Sequence, residues 1–213
     1  MEYYQRTADY KKVKKIAFVL LLSIVLTLPS SAYLVKYKEE YYKLYHIHYQ
    51  QYPDDVMENI YWLERAAAAD FCNPQHAMSH IKNEEDWEKY RYLFMMHINL
   101  KLIEQHMRLG RYYDKNVAYF YDAPWKEEYL RDLEKAESAY AAGLYYWREA
   151  QLWAEKANQG KFYFLHLTDI QAWEDERERI GDGSLNYEKT IKRELERVRK
   201  VKEDFLAMDA NTY

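Results

Sequence analysis

The chain has 213 residues and a formal net charge of −4, with 49% hydrophobic and 31% charged residues. That length holds one domain with a real core or one elongated helical array, and the apolar content excludes general disorder. An acidic balance, with no basic stripe interleaved with aromatics outside the last helix, gives no nucleic acid partner.

Only 5 Gly and 4 Pro stand beside 24 Tyr. Breakers are scarce and large side chains abundant, which favours long helices over a sheet that needs many turns. The fold class is therefore all-α. Residues 1–15 carry Arg6, Lys11, Lys12, Lys14 and Lys15 against Glu2 and Asp9, and Ile16 to Leu28 is almost purely apolar. Basic residues before an apolar run hold the N-terminus in the cytoplasm and send the following chain outward. A signal peptide would use Ile16–Leu28 as its apolar region and Ser30-Ser31-Ala32 as its cleavage site. An anchor would run on through Tyr33, Leu34 and Val35 to the roughly 20 residues that span a bilayer. The anchor is the reading adopted: a cytoplasmic segment 1–15, a transmembrane signal-anchor 16–35 in the inner membrane, and a periplasmic helical body 36–213.

The stretch VKYKEEYYKLYHIHYQQY continues as a polar, Tyr-rich helix to Pro53, expected to be a stalk leaving the bilayer. Pro53-Asp54-Asp55 starts the next helix, with acids beside the positive end of its dipole. That helix is expected to reach about Phe71 through Ala66-Ala67-Ala68-Ala69, and Asn73-Pro74 stops it. A short helix is predicted around Gln75–Lys82. Asn83 then caps a helix whose Leu93, Met96, Leu100, Ile103 and Met107 recur at helical spacing, widened by Phe94, Ile98 and Leu102. This should be the central buried helix, closed at Gly110 as a C-cap.

Asp122 and Pro124 open a helix predicted to run to about Gly160. Its seam includes Ala136, Tyr140, Gly143, Trp147, Ala150 and Ala157, with Ala136, Gly143, Ala150 and Ala157 seven apart. Gly143 costs about 1 kcal/mol against Ala in a helix interior, so a close neighbour is expected there. Further helices are predicted over Leu167–Ile180, ended by Gly181-Asp182-Gly183, and over about Leu185–Met208. In the last, Tyr187, Ile191, Val198, Val201, Phe205 and Met208 take a and d positions, interrupted at Glu194.

No constellation announces a reaction. Cys72, His76 and His80 stand at i, i+4 and i+8, a spacing that could offer sulfur and nitrogen ligands to zinc. Pro74 breaks the helix and a fourth ligand is lacking, so no metal and no cofactor is assigned. His97 in the apolar stripe reads as a packed core histidine. No Glu-x-x-His, His-Glu-x-x-His, Gly-x-Ser-x-Gly or phosphate loop occurs, so neither an enzyme nor a small-molecule substrate is assigned. The charged stretches 174–179 and 192–202 read as solvated helix faces, with a charged docking face for a partner as the alternative. Tyr119, Tyr121, Trp125, Tyr145, Tyr146 and Trp153 cannot all share one seam, and together they form the candidate protein interface.

WLERAAAADFCNP (62–74) and RLGRYY (108–113) resemble parts of tetratricopeptide repeats, although no clean 34-residue period links them. Nearly the whole chain resembles the small proteins of the spirochaete periplasmic flagellar collar, above all over WEKYRYLFMMHINLKLIEQHMRLG (87–110) and FYDAPWKEEYLRDLEKAESAY (120–140). That resemblance implies a non-catalytic, membrane-tethered, tetratricopeptide-like scaffold of the flagellar motor, partnered by collar and motor components and helping to recruit stator units. Two other classes stay open. One is a soluble exported protein that binds a ligand between its helices after cleavage at Ala32, and the other is a metal enzyme centred on Cys72, His76 and His80.

Overall fold

A computed structural model describes residues 34–117 and 125–208, and a compact unit begins at Val35. The expectations for residues 1–15, for the membrane segment 16–35 as far as Tyr33, for the Asp122–Pro124 helix start, and for Tyr119 and Tyr121 fall outside the described residues. Among the described residues no helix is long and apolar enough to cross a membrane.

The described residues form six α-helices and no strand: α1 Lys38–Gln51, α2 Val56–Ala68, α3 Glu84–Val117, α4 Lys126–Ala157, α5 Gln171–Gly181 and α6 Tyr187–Ala207. Capping sets most starts. Asp55 accepts from the Glu58 amide (3.2 Å) at α2, and Asn186 accepts from the Lys189 amide (3.2 Å) at α6. At α3, Asn83 accepts from the Asp86 amide (2.8 Å), and the Asp86 carboxylate accepts in return from the Lys82 amide (2.9 Å). Between α5 and α6 the chain turns at Gly183, whose φ of 78° only glycine adopts without strain.

Helix α3 occupies the centre. Leu93, Phe94, Met96, Ile98, Leu100, Leu102 and Ile103 are all buried, so its middle is apolar around most of the circumference and is covered on most sides. Helix α4 returns antiparallel beside it, and each rod is roughly 50 Å long at 1.5 Å per residue. Helix α2 lies antiparallel to α3 on one flank, while α6 packs along α4, from Trp147 against Tyr187 to Tyr129 against Phe205. The short α5 closes the bundle over the first half of α3 through Trp173, which meets Tyr90, Phe94 and the ring of His97.

Three expectations are corrected. Helix α1 is not a free stalk: Tyr41, Tyr42 and Tyr45 are buried, and Tyr42 meets Phe94, His97 and Trp173 edge-on. At roughly 1.5–3 kcal/mol for each large side chain removed from water, this helix belongs to the core. The helix expected around Gln75–Lys82 is only a 3₁₀ turn, Pro74–His76, capped by Asn73. Gly110 is not a C-cap, because α3 continues to Val117. Instead the Tyr140 ring lies against Gly110 so closely that a Cβ there would stand 2.5 Å from it. The Tyr140 hydroxyl reaches on to donate to Asp114 (2.6 Å), which also pairs with Arg197 of α6.

Candidate functional site

Along the inner face of α4, Ala136, Tyr140, Gly143, Trp147, Ala150 and Ala157 are buried. At Gly143 an added Cβ would meet Ile191 at 3.5 Å and His106 at 3.9 Å, ordinary contact distances that leave room for one methyl group and no more. Small side chains therefore let α4 sit tightly between α3 and α6.

The proposed interface residues are divided by the fold. Trp125 and Tyr145 are exposed, whereas Tyr146 and Trp153 are half-buried. Tyr146 stacks on His106 and donates to Glu64 (3.1 Å), so it ties α4 to α2 and α3. Trp153 packs on Tyr92 and carries the Lys156 ammonium 3.8 Å above its ring.

Several polar groups inside the bundle form ties between helices. Lys89 of α3 and Glu174 of α5 form an ion pair at 2.6 Å with each side chain 3% exposed. Lys89 also donates to the Leu165 carbonyl (2.5 Å), and Arg177 holds the other carboxylate oxygen of Glu174 (3.3 Å). His97 sits between the Tyr42 hydroxyl (2.6 Å) and Glu176 (2.5 Å), which joins α1, α3 and α5. Burial pushes the Tyr42 phenol far above its ordinary range. The expectation of a solvated face over 174–179 is thus overturned at Glu174 and Glu176, which turn inward to partners on α3.

A second cluster joins α1 to the α2–α3 connection. Lys38 donates to the carbonyls of Ala66 (3.3 Å) and Ala67 at the end of α2, where the dipole favours a cation. Burial still pulls its pKa below the ordinary lysine value. The neighbouring Glu39 accepts from the Cys72 amide (3.0 Å) and the Tyr90 hydroxyl (3.3 Å). The Cys72 thiol is pushed up to about 12, first by burial and then by the Glu39 charge, and so remains protonated. His76 and His80 are exposed and do not converge on Cys72. No group of three His, Cys, Asp or Glu side chains able to hold a metal occurs among the described residues.

Among the openings at the surface, one groove of about 590 Å³ lies between the start of α2 and the first half of α4, with α3 as its floor. Met57 forms one wall, Leu109 and Tyr113 line the floor, and Arg131, Lys135 and Ala139 line the other wall. His106 closes the floor. It is 9% exposed, and neither ring nitrogen has a hydrogen-bond partner within the protein. Burial lowers its pKa to about 4, so the ring is neutral at pH 7. Met57, in the groove wall, and Tyr61 stand exposed four residues apart on α2, and Tyr145 and Leu152 stand exposed seven apart on α4, beyond the last lining residue of that helix. Those spacings put each pair on one helix face.

Some of these residues were readable and some were not. Gly110 had a signal, since Ile103, Met107, Gly110 and Asp114 step by four, three and four through an uninterrupted stretch. His106 stands in the same apolar stretch. Lys89 and Glu174 had none: each looks like an ordinary charge on its own helix until the two helices meet.

Residues 85–208 match the family described as Domain of unknown function (DUF8513), which covers α3 to α6. With more than half of its length matched, the chain belongs to that family. No curated protein and no solved structure matches it.

Proposed function

We propose that this chain is a non-catalytic, membrane-tethered helical scaffold whose outer surface binds other proteins. The observation that carries the reading is the open groove between α2 and α4, lined by Met57, Leu109 and Tyr113, together with exposed Tyr61, Tyr145 and Leu152 further along the same two helices. Large apolar side chains grouped at a concave surface are what a protein partner buries. Lys89, Glu174 and His97, by contrast, are engaged with partners on other helices, while His106 faces the groove floor with its ring nitrogens unpartnered. Helical hairpins joined in series suit a tetratricopeptide-like scaffold, the architecture the sequence resemblance implies. On that resemblance the partners are collar and motor components of a spirochaete flagellum, with the body in the periplasm and residues 16–35 in the inner membrane.

The test is affinity purification of the full chain from native membranes, followed by mass spectrometry of what accompanies it. Motor and collar components should co-purify, together with peptides from residues 1–15 of the chain. Recovery of a soluble chain beginning at Tyr33 and free of such partners would overturn the reading.

A further inference from the structure

One end of the unit gathers its entry point and its most exposed aromatic side chains. The Lys38 amide donates to the Asp70 carbonyl (2.8 Å), which places Val35 and the start of α1 beside the α2–α3 connection. That connection reaches the segment after α4, because the His80 amide donates to Asp169 (2.8 Å). Lys89 donates to the Leu165 carbonyl from the first turns of α3, at the same end.

Residues 160–166 form a knuckle here with a fixed root and a bare tip. Phe162 is buried against Tyr92, and Lys161 pairs with Glu88 at 2.5 Å. The tip is Tyr163 and Phe164, which are 75% and 91% exposed, with ring centroids 4.8 Å apart. They are the two most exposed large apolar side chains among the described residues. Most of each ring is in water, and the two meet edge-on.

The sequence suggests what meets them. Only six residues separate the apolar run Ile16–Leu28 from Val35. An extended chain covers roughly 3.5 Å per residue, so that link reaches at most about 25 Å. If the run is held in a bilayer, Val35 and the end of the unit that carries the knuckle stay close to the headgroups. Aromatic side chains, Tyr in particular, favour that layer, where a ring lies in an apolar environment while a hydroxyl keeps its water.

We propose that the Tyr163–Phe164 knuckle is a lipid-interface contact, seated in the headgroup layer of the membrane that anchors the chain. This rests on the tether reading above and adds a second contact with the same bilayer. The test uses the full chain in phosphatidylcholine vesicles, with an environment-sensitive fluorophore on a cysteine introduced by Phe164→Cys in a Cys72→Ser background. A second variant carries the fluorophore at Tyr112→Cys, an exposed site near the other end of α3. Thermal melting of both variants near wild type establishes that they fold.

Nitroxide-bearing lipids should quench most of the emission from position 164 and leave position 112 unchanged. If neither position is quenched while the chain resists carbonate extraction, the knuckle proposal is overturned and the tether stands, and the tip is then a protein contact. If carbonate strips the chain from the vesicles and position 164 is unquenched, both readings are overturned.

Discussion

At Gly110 and Gly143 one residue type solves two different problems, and the substitutions that separate them follow from geometry. The Tyr140 ring is buried and anchored by Asp114, so it has nowhere to retreat from a Cβ only 2.5 Å away. Gly110→Ala should therefore destabilise the protein by about 1–3 kcal/mol, the usual range for overpacking. Gly143→Ala meets only ordinary contacts and gains up to about 1 kcal/mol of helix propensity, so it should be neutral or stabilising. Urea denaturation of the two variants beside wild type checks both signs. Equal stabilities would mean that Tyr140 does not lie on Gly110. His106 makes a pH prediction at the same scale. Its folded pKa of about 4 lies below the unfolded value near 6.5, so between these limits the unfolded chain binds a proton that the folded one refuses. Its contribution to stability is intact above about pH 6.5, falls as pH drops toward 4, and is flat below that. The full loss is about 3 kcal/mol. His106→Phe keeps the stack on Tyr146 and removes the titration. The difference in unfolding free energy between wild type and variant should grow in the variant's favour from pH 6.5 to 4, and a constant difference would contradict the buried neutral histidine.

At the scale of the element, α1 separates what the sequence could show from what it could not. Its helical character and its end near Pro53 are local properties, legible in the absence of breakers. Its burial is not local. The helix reads as polar because Lys38 and Glu39 are counted as charges, yet both are buried by partners on other elements: the Ala66 and Ala67 carbonyls for one, the Cys72 amide and Tyr90 hydroxyl for the other. The central stripe of α3 was legible because an apolar run needs no partner to be recognised. The Lys89–Glu174 pair was not, because burying two charges makes sense only after α5 meets α3. The groove was equally hidden, since it is a gap between three helices and belongs to none of their patterns. Backbone amides of Tyr41 to Tyr45 should thus exchange with solvent as slowly as those of Leu93 to Ile98 in α3. Hydrogen exchange by mass spectrometry reads this directly. Fast exchange in α1 beside slow exchange in α3 would restore the stalk.

For the whole molecule, the central claim is that interior and surface have separate tasks. Buried pairs such as Lys89–Glu174 hold helices together, while on the proposed reading the α2–α4 groove and the exposed apolar side chains of those helices hold a partner. The two tasks separate in a paired measurement on Met57→Asp and Tyr145→Ala. Both side chains are mostly in water, so replacing them should move the melting temperature little, as surface substitutions generally do within about 0.5 kcal/mol. A charge placed in an apolar contact, or the loss of an aromatic anchor, should by contrast cost about 2 kcal/mol or more of binding where the residue is a hot spot. Quantitative partner recovery from native membranes, set beside melting of the same preparations, is the most direct test. Both variants should lose partners while melting like wild type. Full partner recovery with both variants, at unchanged melting temperature, would contradict the claim that this groove is where the scaffold binds.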